Sequence, residues 1–145
     1  MRRVSIFVLS GISLFLLILA APTVQAQITG AIETNINHPF VVGDTTLPPG
    51  RYIFRMVSDT NLHAMTVTNA ATDTSVEFLV REALNSHTPS HSELVFNRYG
   101  DKQFLTKIFE VGTKAGVAVD ESSREEARLQ KQGQHPVEHS EEQEH

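Results

Sequence analysis

The sequence predicts an all-β fold, a single antiparallel β-sandwich followed by a short C-terminal helix and a disordered acidic tail. Three observations predict it. Short apolar runs alternate with turn residues through the middle of the chain, these runs are rich in β-branched and aromatic residues, and the pattern changes to helix formers only after Asp120. A small barrel is the alternative, because the seven or eight expected strands suit either architecture.

Five strands are predicted by alternation, since each places apolar side chains at every second residue between turn residues. Gly100 and Asp101 separate the last two, and a glycine that opens a two-residue loop predicts a type II′ hairpin turn. The five strands cover residues 51–58, 62–69, 74–81, 93–99 and 102–111, and weaker patterns predict strands over 28–36, 39–42 and 116–119.

The helix is predicted by capping residues. Ser122-x-x-Glu125 and Ser123-x-x-Glu126 both match a capping box, and helix formers follow as far as Gln132. Gly133 and Pro136 are expected to end it. We therefore expect a β domain over 27–119, a helical segment over 120–133 and a disordered His/Glu-rich tail over 134–145.

The first 26 residues predict a cleavable secretory signal peptide. Arg2 and Arg3 precede an apolar run from Val4 to Ala20, and Val24 and Ala26 are spaced as a peptidase requires before a mature start at Gln27. An uncleaved membrane anchor is the alternative, because the run approaches the length that spans a bilayer. We expect an exported protein, either periplasmic or extracellular.

Composition excludes several classes of partner. The chain has no cysteine, so neither a disulfide nor a lipid-modified cysteine is expected. The segment from Asp120 to His145 holds eight acidic and three basic residues, and the preceding domain is also slightly acidic. This balance predicts no binding to nucleic acid and no attachment to an anionic membrane after signal cleavage.

Histidine is the residue whose distribution invites a metal hypothesis. His87 and His91 have the spacing of a helical metal pair, but Pro89 between them opposes a helix. The tail offers a looser set of nitrogen and oxygen ligands: His135, His139, His145, Glu138, Glu141, Glu142 and Glu144. His38 and His63 are expected in strands as structural residues. We therefore assign no metal ligand and no cofactor, and keep weak metal binding by the tail as an alternative.

Catalytic patterns are weak as well. Ser86, Ser90 and Ser92 lie near His87 and His91, but no nucleophile elbow or glycine-rich oxyanion loop accompanies them. Acid–base chemistry would have to draw on the following carboxylates: Glu33, Asp44, Glu77, Glu82, Glu93 and Glu110. We assign no catalytic residue and expect the protein not to be an enzyme.

The hexapeptide from Leu47 to Tyr52 resembles the Leu-Pro-x-Gly-x-Tyr strand entry of exported bacterial β-sandwich modules, including carboxypeptidase-regulatory-like domains. The stretch from there through 94–101 to 123–125 is similar to a group of small exported bacterial proteins of acidobacterial type with no assigned function. The resemblance implies secretion and an all-β body, and it implies no site residue.

Two functions are expected from these observations. The first is a non-catalytic module of the cell envelope or the exterior that binds a partner through a sheet face, an edge strand or the loop over 82–92. The alternative is a carrier of a small apolar ligand whose cavity is lined by strand aromatics: Tyr52, Phe54, Phe78, Phe96, Phe104 and Phe109.

Overall fold

The computed structural model describes residues 28, 30–58, 60–120 and 123–143. The predicted signal peptide over 1–26 lies outside these residues. The described chain forms ten strands and one helix. They are β1 (Ile32–Ile36), β2 (Phe40–Val42), β3 (Thr45–Leu47), β4 (Gly50–Ser58), β5 (Asn61–Asn69), β6 (Ser75–Leu84), β7 (Ser92–Tyr99), β8 (Lys102–Phe109), β9 (Ala115–Val119), α1 (Arg124–Lys131) and β10 (Val137–Gln143).

The strands form two groups that are joined by β6. Its first half pairs with β5 in the order β1-β4-β5-β6, and its second half pairs with β9. In the second group β8 pairs with β7 along one side, while β9 and β2 lie along the other, and β10 extends the group beyond β7. Among the described strands the sheet is open, with β1 and β3 at the ends of its path, so the barrel alternative is not formed. All pairings are antiparallel except β2 with β8.

One hydrophobic core lies between the two groups. Its fully buried members come from both, as with Phe54 and Met65 on one side and Phe96 and Ile108 on the other. The chain reaches this arrangement because β1 belongs to the first group, the β2–β3 hairpin crosses to the second, and β4 returns to pair with β1. The predicted all-β fold with a short helix is confirmed.

The Leu-Pro-x-Gly-x-Tyr motif has a clear physical role at the start of β4. Tyr52 is fully buried, and its hydroxyl donates a hydrogen bond of 2.6 Å to the carbonyl of Pro48. The turn thus supplies the acceptor that a buried tyrosine hydroxyl needs. In the predicted hairpin turn over Gly100 and Asp101, only Gly100 has a positive φ. Its value is 59°, as a type II′ turn requires at its first position.

The helix begins where one of the two capping boxes predicts. Ser123 is the N-cap, and its hydroxyl accepts a hydrogen bond of 3.0 Å from the backbone N–H of Glu126. Asp44 adds a second anchor, because its carboxylate accepts bonds from the backbone and the side chain of Arg124 at 2.8 and 3.0 Å. With eight residues in α1, no helix in the described chain is long and apolar enough to cross a membrane.

The expectation of a disordered tail over 134–145 is wrong for Val137–Gln143, which form β10. The sequence there shows little apolar alternation, so a sequence pattern does not reveal the strand. The outer side of β7 offers unpaired backbone N–H and C=O groups, and a neighbouring segment satisfies them by pairing. The short strand β3 was not predicted either, and it pairs only with β2.

Candidate metal centre

Strand β10 places two ligand-type side chains on the face of the sheet that borders the core. His139 lies directly opposite Phe96 of β7, and Glu141 lies opposite Leu94. Directly opposed residues of an antiparallel pair project to the same face, and residues two apart share it. His139 and Glu141 therefore project together beside two fully buried core residues.

The third side chain comes from a distant part of the chain. His38 lies in the connection between β1 and β2, where buried Ile36 and Phe40 hold the two flanking strand ends in the core. Its Nε2 lies 2.7 Å from Oε1 of Glu141, although the two residues are 103 positions apart in sequence. The connection from β1 in the first group to β2 in the second thus places His38 beside β10.

Phe96 forms an apolar floor beneath both histidines. Its ring stacks on His139 with centroids 5.7 Å apart, and it meets the ring of His38 edge-on at 5.2 Å. Phe96 is itself fully buried and also touches Phe40 edge-on. Both imidazoles thus rest against the same buried ring.

The three side chains have the spacing of a metal site. One ligand atom from each of His38, His139 and Glu141 lies within 4.8 Å of the others. Tetrahedral coordination with bonds of about 2.0–2.1 Å separates ligand atoms by roughly 3.3 Å. The 3.5 Å between Nε2 of His139 and Oε1 of Glu141 already matches, and the contact of His38 has to open by roughly half an ångström.

The surroundings of the two imidazoles differ. Nδ1 of His38 lies 3.2 Å from the carbonyl oxygen of Pro39, and Nε2 faces the centre. Such a second contact fixes the orientation of metal-binding histidines. Nδ1 of His139 is buried, and no described residue offers it a hydrogen bond. The side chains of His38, His139 and Glu141 are 21, 32 and 27% exposed, so an ion reaches them from solvent.

The other histidines of the two predicted clusters do not join this centre. His87 lies 3.6 Å from the carboxylate of Glu93, and His91 lies 3.6 Å from that of Glu142. His135 is exposed beyond the helix, and His63 is exposed on β5. His145 and Glu144 lie outside the described residues, and Glu138 is paired with Lys107 at 2.8 Å. Two of the predicted tail ligands, His139 and Glu141, therefore lie in this centre. The third member is His38, for which the sequence predicted a structural role.

Most of the catalytic candidates are separated from one another. Ser90 contacts the ring of His91 at 3.2 Å, while Ser92 is buried in β7. Glu33 pairs with Arg51, and Asp44 holds the helix start. Glu77 and Glu82 are exposed on β6, and Glu110 is half-buried after β8. Glu93 differs from these, because it is 5% exposed and accepts a bond of 2.8 Å from Nδ2 of Asn85.

A second buried carboxylate, Glu126, was not predicted. It is 3% exposed, and its Oε1 accepts bonds from Asn97 at 2.9 Å and from the hydroxyl of Tyr99 at 3.4 Å. Gln130 donates in turn to the Tyr99 oxygen at 3.0 Å. Burial raises the pKa of the Tyr99 hydroxyl above its ordinary value, and the neighbouring carboxylate of Glu126 adds to the rise against the hydrogen bond from Gln130. This network attaches α1 to the sheet.

Comparisons with protein-family models, with curated proteins and with solved structures find no match for this chain.

Proposed function

We propose that this protein is a non-catalytic β-sandwich module of the exported type that binds a divalent transition-metal ion, with zinc as its reference ion, through His38, His139 and Glu141. The observation that carries the proposal is the convergence of these three side chains from two distant segments onto one floor at Phe96. The resemblance to small exported bacterial β proteins supports the exported location.

The donor set selects the class of ion. Two imidazoles and one carboxylate suit zinc, copper and nickel, whereas calcium and magnesium prefer sites made of oxygen ligands. With three protein ligands a tetrahedral ion keeps a fourth position for water or a ligand from another molecule. The site therefore differs from the closed four-ligand sites of structural zinc.

The apolar-ligand carrier receives less support. Tyr52, Phe54 and Phe96 are fully buried, and Phe40 packs edge-on against both Tyr52 and Phe96. Aromatic rings that pack against one another in this way fill a core rather than line a cavity. Two described clefts, of about 320 and 470 Å³, lie beside the buried carboxylates of Glu126 and Glu93, and each is lined by just one of the six predicted aromatics, Phe104 and Phe109 respectively.

Zinc titration of the metal-free protein by calorimetry tests the proposal. We expect one zinc ion per chain, and at least about tenfold weaker binding after His38→Ala, His139→Ala or Glu141→Gln. His63→Ala and His135→Ala are matched controls, because both remove exposed histidines outside the centre. Absence of zinc binding, or equal weakening by the controls, would contradict the proposal. Calcium and magnesium should give no binding heat at this site.

A further inference from the structure

Strand β10 is attached to the protein along one side only. Its backbone pairs with β7 from Val137 to Gln143, and no other described strand lies beside it. Glu138, Ser140 and Glu142 are exposed, and Val137 is 56% exposed. A strand with little apolar burial opens more readily than the core of a protein.

Charge also opposes the docking of β10. Glu142 lies directly opposite Glu93, and like charges that face each other across an antiparallel pair are destabilising. At the other end of the strand, Lys107 forms an ion pair with Glu138 that offsets its charge. His91 lies beside Glu142. The side chains that link the middle of β10 to a remote part of the fold are those of the candidate metal centre, through the contact between His38 and Glu141.

We infer that metal binding regulates the docking of β10, because the ion bridges His38 on the β1–β2 connection to His139 and Glu141 on the strand. This inference rests on the proposed function. The three ligands converge only when β10 is paired with β7, so the ion binds the docked state and not the open one. A ligand that binds one of two states stabilises it in proportion to its concentration above Kd. Without the ion β10 opens more often, and the bound ion keeps it docked.

Amide hydrogen exchange of the full chain, measured by mass spectrometry with EDTA and with zinc, tests this regulation. At zinc concentrations about 100 times the measured Kd, we expect exchange over 137–143 to slow by about 100-fold. Peptides from β4 and β5 should remain strongly protected in both conditions, which shows that each variant is folded.

Three variants test whether the ion bridges His38 to β10 or is held by β10 alone. His38→Ala should lose the zinc-dependent slowing even when zinc occupies the remaining ligands, and His38→Gln, which keeps a polar side chain, should behave in the same way. His91→Ala removes a different contact of β10 and should retain the slowing.

The possible failures are distinct. Zinc that binds in calorimetry without slowing exchange over 137–143 overturns the regulation and leaves the metal-binding function intact. Equal slowing in wild type and His38→Ala overturns the bridge, since zinc would then stabilise the docked strand without His38. A chain that binds no zinc overturns the proposed function and this inference with it.

Discussion

Phe96 and His139 lie directly opposite each other on β7 and β10, and their rings stack with centroids 5.7 Å apart. A fully buried core residue is thus the base on which a ligand-type side chain rests. This stacking couples the packing of the core to the geometry of the candidate metal centre. A change at Phe96 should therefore affect both the stability of the protein and its binding of metal.

Phe96→Leu should lower the free energy of unfolding by about 1–2 kcal/mol, because a buried ring is replaced by a smaller side chain. It should also weaken zinc binding by about tenfold, since both imidazoles lose their floor. Urea unfolding and zinc calorimetry measure the two effects. Phe78→Leu is the control, because Phe78 is buried in the same core without ring contacts to the histidines. If Phe78→Leu weakens zinc binding equally, the floor has no special role.

Glu126→Ala should destabilise the protein by about 2–3 kcal/mol, because Asn97 and Tyr99 lose their buried acceptor. Glu126→Gln should cost less, since its amide oxygen still accepts a hydrogen bond. Glu125 on the same helix turn is a suitable control, because its pair with Lys102 lies at the surface and its removal should cost less than about 1 kcal/mol. Denaturant unfolding of the three variants checks the order. An equal loss for Glu125→Ala and Glu126→Ala would contradict the role of the buried network.

Tyr99 should ionise above the ordinary tyrosine pKa of about 10, because burial disfavours the phenolate. Ultraviolet titration of a Tyr52→Phe variant, in which Tyr99 is the sole tyrosine, measures this directly. The folded state holds the proton more tightly than the unfolded chain. Its contribution to stability is therefore complete below about pH 10 and is lost as pH rises through the higher folded pKa. Ionisation at or below the value of free tyrosine would refute this.

Gly116→Ala should destabilise the protein by about 1–3 kcal/mol, because the added methyl group overlaps the ring of Phe109 and the backbone carbonyl of Ile108. The backbone carbonyl cannot move aside as a flexible side chain does. Gly30→Ala is the matched control, since its methyl group meets only the carboxylate end of Glu110 at 3.1 Å. Thermal unfolding compares the two. A Gly116→Ala protein as stable as wild type would show that β8 and β9 are not closely packed there.

The sequence predicted the long strands well, because alternation of apolar residues reports directly on burial of one face. The strand that carries Phe78 and Val80 and the hairpin at Gly100 are examples, and the N-cap at Ser123 followed from its capping box. It did not predict β10, since that strand is held mainly by backbone pairing with β7 and its side chains show little apolar alternation.

The sequence by itself determined the all-β class, most strand positions, the helix start and the presence of histidine and glutamate near the C-terminus. Only the tertiary structure decided which of these side chains meet. Local patterns extend over a few residues, whereas His38 and Glu141 are brought together by the crossover from β1 to β2 and by the pairing of β10 with β7. Contacts over such a separation depend on how the strands are ordered in space, and no local periodicity encodes that order.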